Sequence, residues 1–113
     1  MGKKLIKMDP GDTVATALAD IQKGEEVEIV ESDLSAAKVM TAGEDIPYGN
    51  KIALTAIPQG AGVVKYGEVI GTAIRGIAPG RLVHVHNVRS LNLDIPPAIV
   101  REIIKTMGIE EET

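Results

Sequence analysis

A chain of 113 residues, 44% apolar and 25% charged, is long enough to bury one core unaided and has the composition of an ordinary globular domain. It contains no Cys, Trp or Phe, which excludes disulfides, thiolate metal sites and cysteine nucleophiles and requires a core of Val, Ile, Leu and Ala. A net charge of −4 and two tyrosines argue against nucleic acid, which needs a basic surface and stacking rings.

In chain order, Lys4 to Met8 reads as a short strand and Asp9-Pro10-Gly11 as a turn. Asp12 is a good N-cap for a short helix, because Val14, Ala17, Leu18 and Ile21 recur at i, i+3, i+4 and i+7 before Gly24 stops the run. Val27-Glu28-Ile29-Val30 and Lys38-Val39-Met40-Thr41 then read as two strands around a Ser32-Asp33 turn. No apolar run is long enough to span a bilayer, and Met1-Gly2-Lys3-Lys4 leads into no signal-peptide core. A cytoplasmic protein, with no membrane partner, is expected.

A short motif punctuates the chain. Ile-x-x-Gly-x-x-(Val or Ile) occurs at Ile21/Gly24/Val27, Ile46/Gly49/Ile52, Ile57/Gly60/Val63 and Ile77/Gly80/Val83. Each copy reads as a strand end, a tight turn with glycine in an unusual conformation, and a new strand starting on an apolar anchor. The pattern describes compact β structure that changes direction repeatedly. Near the C-terminus, Ile99, Val100, Ile103, Ile104 and Met107 form one stripe of a helix begun after Pro96-Pro97 and ended at Gly108. Arg101, Glu102 and Lys105 lie opposite. The stripe suits either the chain's own β core or a partner subunit. Ile109-Glu110-Glu111-Glu112-Thr113 is a frayed acidic tail by this reading. Residues 1–93 thus form the β unit and 94–113 a helix and tail of the same single domain, joined by a linker near Ser90 to Pro97.

The chemistry-bearing residues gather in Gly62-Val63-Val64-Lys65-Tyr66-Gly67-Glu68-Val69-Ile70-Gly71 and Val83-His84-Val85-His86-Asn87. In an extended strand, residues i and i+2 share a face. His84 and His86 should then point one way, suited to metal ligation or proton transfer. Lys65 and Tyr66 suit a carboxylate substrate, as a cation and a hydroxyl donor. Asn87 suits substrate hydroxyls, and Asn50 and Lys51, after a turn glycine, suit the same cleft. Each has a plainer alternative: capped surface histidines, a packed ring before the Gly67 turn, a solvated lysine, an asparagine satisfying a turn.

Asp12 to Leu18, Gly49 to Leu54, Val64 to Gly71 and His84 to Asn87 stand in an order and spacing that resembles the N-terminal part of altronate and galactarate dehydratases. They are also similar to the small subunit of two-subunit sulfolactate lyases. The resemblance covers roughly residues 4 to 90. It implies a mainly β architecture, the β-clip fold of a SAF domain, to which the periodicity read above adds a short N-terminal helix and a C-terminal amphipathic helix. It also implies a role in dehydrating a sugar acid or related hydroxy acid, with a divalent metal such as Fe2+ and a large catalytic chain as partner. Such a small subunit is not expected to be active alone. Its site would comprise His84 and His86 as catalytic or metal-ligating residues, and Lys65, Tyr66, Asn87, Asn50 and Lys51 around a small acidic substrate. Self-association into a homo-oligomer is also compatible. A non-catalytic β-clip binding or adaptor module is the alternative. Two positions depart from the family pattern: Met8-Asp9 and Asn50 stand where family members commonly carry histidine, which removes two imidazoles.

Overall fold

The computed structural model describes residues 3–31, 36–90 and 97–109. The Ser32-Asp33 turn, residues 91–96 of the linker and residues 110–113 of the acidic tail lie outside them. Among the described residues, nine strands and one helix follow in order: β1 Lys3–Lys7, β2 Val14–Ala17, β3 Glu26–Glu31, β4 Ala36–Thr41, β5 Lys51–Ala53, β6 Gly62–Lys65, β7 Glu68–Ala73, β8 Leu82–Val83, β9 Val88–Ser90 and α1 Pro97–Met107. A six-stranded sheet runs β4-β3-β1-β2-β5-β8, and a three-stranded sheet runs β6-β7-β9. Pairing is antiparallel except for β1 with β3. The fold is mainly β and agrees with a β-clip.

The short helix expected from Asp12 onward is not formed; the segment is strand β2. Val14 to Ala17 run between β1 and β5 in mid-sheet, with Val14, Ala15 and Ala17 all buried. Leu18, which a helical stripe would bury, is 45% exposed. Residues of a strand covered on both faces are apolar without alternation, so they imitate helical spacing over one short window.

The glycine motif is the organising unit of the fold. Gly24, Gly49, Gly60 and Gly80 all have φ between 82° and 89°. Each closes a four-residue turn in which the residue after glycine donates to the residue two before it: Glu25 to Gln22, Asn50 to Pro47, Ala61 to Pro58 and Arg81 to Ala78. Left-handed glycine at the third position is the signature of a type II turn.

A further anchor belongs to every copy: an alanine four residues before the isoleucine, at Ala17, Ala42, Ala53 and Ala73. These units, 17–27, 42–52, 53–63 and 73–83, associate in two reciprocal pairs. In the first, Ile21 bridges Ile46, Gly24 N–H donates to the Ala42 carbonyl, and Gly49 N–H donates to the Ala17 carbonyl. In the second, Ile57 bridges Ile77, Gly60 N–H donates to Ala73 and Gly80 N–H to Ala53.

The core divides in the same way. Ala17, Ile21, Val27, Ala42, Ile46 and Ile52 sit in one apolar cluster with Leu5, Ile29 and Leu82. Ala53, Ile57, Val63, Ala73, Ile77 and Val83 sit in another with Val14. Each pair of units therefore builds one aliphatic core.

Helix α1 forms where Pro97 permits a first turn and Gly108, at φ 66°, ends it. Its apolar stripe is half-buried at Val100, Ile103, Ile104 and Met107, and Ile109 packs on the first core. No helix among the described residues is long and apolar enough to cross a membrane.

Candidate functional site

Sheet register brings Lys51 within electrostatic reach of both His84 and Lys65, while His86 and Asn87 border a separate crevice. The turn Pro47–Asn50 delivers Lys51 to the start of β5, where it pairs with Val83 of β8. His84, the next residue, therefore leaves the sheet beside Lys51. Lys65 ends β6, and β6 is tied to β2 through Thr13 N–H to the Val64 carbonyl at 3.0 Å.

Lys51 is coupled to both His84 and Lys65. The Lys51 ammonium is held below its ordinary pKa, chiefly by burial and then by the Lys65 charge. His84 is likewise lowered by burial first and by Lys51 second. Lys65 Nζ lies 5.1 Å from the centre of the Tyr66 ring, a cation–π separation. Tyr66 is 60% exposed.

The histidines are not on a strand. β8 ends at Val83, and residues 84–87 form a tight turn into β9 in which Asn87 and Val88 N–H groups donate to the His84 carbonyl. The shared strand face expected for His84 and His86 is thus replaced by a turn. The reason is Asn87: its Oδ1 accepts the His84 N–H at 3.0 Å and its Nδ2 donates to the Leu82 carbonyl at 2.8 Å. A carboxamide folding back on its own backbone offers the chain an alternative to the ladder. Both polar ends of buried Asn87 are engaged within the turn. Asn50 does similar work more loosely, its Nδ2 reaching the Pro47 carbonyl at 3.2 Å.

His84 and His86 differ in environment. His84 Nδ1 accepts the Val85 N–H at 2.7 Å, so the neutral ring carries its proton on Nε2, which becomes a donor. His86 is buried, and its Nδ1 finds no hydrogen-bond partner among the described residues. Its pKa is pushed down to about 4, first by burial and then by His84, Arg75 and Arg81. The ring borders a crevice with Glu44, Arg75, Gly76, Ile77 and Asn87. Glu44 is fixed there, accepting the Leu82 N–H at 2.6 Å and facing Arg81 Nε at 3.4 Å.

A divalent metal needs convergent lone pairs. Here His84 carries its proton on Nε2 and has the Lys51 charge near it, and no group of three or more His, Asp or Glu that could hold an ion occurs among the described residues. The donor set of Lys51, Lys65 and His84 fits an oxyanion better than a cation.

Sequence reasoning did not assign a site role to Asp12, which it read as a helix cap, nor to Arg75, Arg81 and Glu44. Asp12 is buried and accepts the N–H groups of Tyr66 and Gly67. The Asp9-Pro10-Gly11-Asp12 turn signal marked the place without naming the partner.

An aliphatic β-clip with a cationic, hydrogen-bond-donating edge is the class defined by this geometry. Residues 3–91 match the altronate/galactarate dehydratase SAF domain, and the chain belongs to that family. It is 44% identical over 85 residues to an altronate dehydratase of Escherichia coli (strain K12), covering 75% of this chain and 16% of the relative. An altronate dehydratase of Bacillus subtilis (strain 168) is 39% identical over 93 residues, covering 82% of this chain and 18% of that protein. The (2R)-sulfolactate sulfo-lyase subunit alpha of Paracoccus pantotrophus is 42% identical over 62 residues, 55% of this chain and 91% of that subunit. The chain thus spans less than a fifth of the altronate dehydratases it matches.

Proposed function

We propose that this SAF domain serves as a small subunit of a sugar-acid or related hydroxy-acid dehydratase, lending one wall of a pocket completed by a separate large catalytic chain. The observation that carries the reading is the row Lys65, Lys51 and His84, in which burial and mutual repulsion depress the protonation of Lys51 and His84. Cations gathered against one another are stabilised when an anion arrives. The family match and the alpha-subunit name of the Paracoccus relative support a divided enzyme.

Dehydration of a β-hydroxy acid removes the proton next to the carboxylate and expels the β-hydroxyl. Charge builds on the carboxylate as the enediolate forms, so donors aimed at its oxygens lower the barrier. Lys51 and Lys65 would supply that charge, and His84 Nε2–H a neutral hydrogen bond. The divalent metal implied by the family would be held by the catalytic chain, since this edge is cationic.

The test is reconstitution. Alone, the chain should not dehydrate altronate; with the large chain that co-purifies from native cells, turnover should appear. Lys51→Met should lower kcat/KM of the complex about 10- to 100-fold, the worth of a charged hydrogen bond. Turnover by the isolated chain would refute the divided enzyme.

A further inference from the structure

The hairpin turn between β6 and β7 holds a bulky residue in a conformation that bulky residues avoid. Tyr66 has φ 56° and Gly67 φ 74°, and Tyr66 is the one non-glycine residue with positive φ among those described. Positive φ at both central residues is the requirement of a type I′ hairpin turn, usually met by Asn-Gly or Asp-Gly. With tyrosine there, Cβ crowds the backbone carbonyl.

The turn is gripped from outside the hairpin. The Asp12 carboxylate, on a residue only 5% exposed, accepts Tyr66 N–H on Oδ2 at 3.1 Å and Gly67 N–H on Oδ1 at 2.8 Å. Its Oδ2 also accepts the Asp9 N–H at 3.1 Å. Thr13 adds a second hold, its Oγ1 accepting the Val64 N–H at 3.1 Å. What this secures is not packing, because the Tyr66 side chain stands in solvent beside Lys65. Strain that persists only because its surroundings over-determine it, at an exposed ring, points to use of the ring.

We infer that Asp12 is a positioning residue whose buried carboxylate fixes the Tyr66 phenol beside Lys65, for contact with an oxygen of the hydroxy-acid substrate. The substrate contact rests on the function proposed above; the grip of Asp12 on the turn does not.

Tyr48 and Tyr66 are the chain's aromatic residues apart from histidine, so in a Tyr48→Phe background the near-ultraviolet tyrosine circular dichroism reports Tyr66 alone. Asp12→Asn is expected to collapse that band while the far-ultraviolet spectrum is kept. Tyr66→Gly, which adopts the turn without strain, is expected to melt about 4 °C higher and yet to lower kcat/KM of the reconstituted complex at least about ten-fold. Tyr66→Phe should show the same loss without the gain in melting temperature. If Asp12→Asn unfolds the wild-type chain, it should still fold with Tyr66→Gly, since the strain it opposes is gone. A Tyr66 band unaltered in Asp12→Asn overturns the positioning role. A Tyr66→Gly complex with wild-type turnover overturns the substrate contact. Should no partner chain yield turnover, the proposed function fails by itself, while the band and the melting temperatures still decide whether Asp12 holds the ring.

Discussion

His86 shows how one buried residue couples this fold to pH. Its ring is 5% exposed and its pKa is pushed down to about 4, against about 6.5 in an unfolded chain. Between those values the unfolded chain binds the proton that the folded chain refuses. Stability therefore rises with pH across that window, is fully present above about 6.5, and is lost as pH falls toward 4. The loss from this group is at most about 3.5 kcal/mol. Urea unfolding of the wild-type chain at pH 7 and pH 4.5, against His86→Gln, checks it: the variant should show the smaller decline. Asn87 illustrates the opposite case, a residue whose chemistry is spent locally. Asn87→Ala should cost about 1–3 kcal/mol by chemical denaturation, because the Leu82 carbonyl and the His84 N–H both lose a partner.

At the scale of elements, the type II turns separate two reasons for glycine. Gly60 at φ 87° has nothing within 4 Å of where a Cβ would stand, whereas a Cβ on Gly80 would come within 2.8 Å of the Thr41 carbonyl oxygen and 2.9 Å of Gly43 N. Gly60→Ala should therefore cost only the left-handed conformation, about 1–2 kcal/mol. Gly80→Ala should cost distinctly more, because β4 must move away from the turn; equal melting temperatures for the two variants would contradict this. The glycine motif was readable from sequence because a left-handed turn leaves glycine little competition. Strand β2 was not, because a strand buried on both faces carries no alternation to mark it. The turn holding His84 and His86 was hidden for a related reason: alternating Val and His imitates a strand, and only the Asn87 amide redirects the chain.

At the scale of the described molecule, four such glycine-turn units in two reciprocal pairs give two aliphatic cores. Ile46 lies in one and Ile77 in the other, so they share no cluster. Ile46→Val and Ile77→Val should each cost about 0.5–1.5 kcal/mol, and the double variant should match their sum within about 0.5 kcal/mol in urea titrations. The aliphatic β character, the glycine turns, the C-terminal helix and the segments that carry the polar groups were all legible in the order of residues. Each is a local matter, set by side-chain volume, backbone sterics and periodicity within a few residues. Tertiary contacts were needed to bring Lys51 within electrostatic reach of His84 and Lys65, to set Asp12 against a turn 54 residues away, and to pair each unit with a particular partner. Those contacts depend on strand register and on burial by distant parts of the chain, and the electrostatics of the edge exist only once desolvation has brought its cations together.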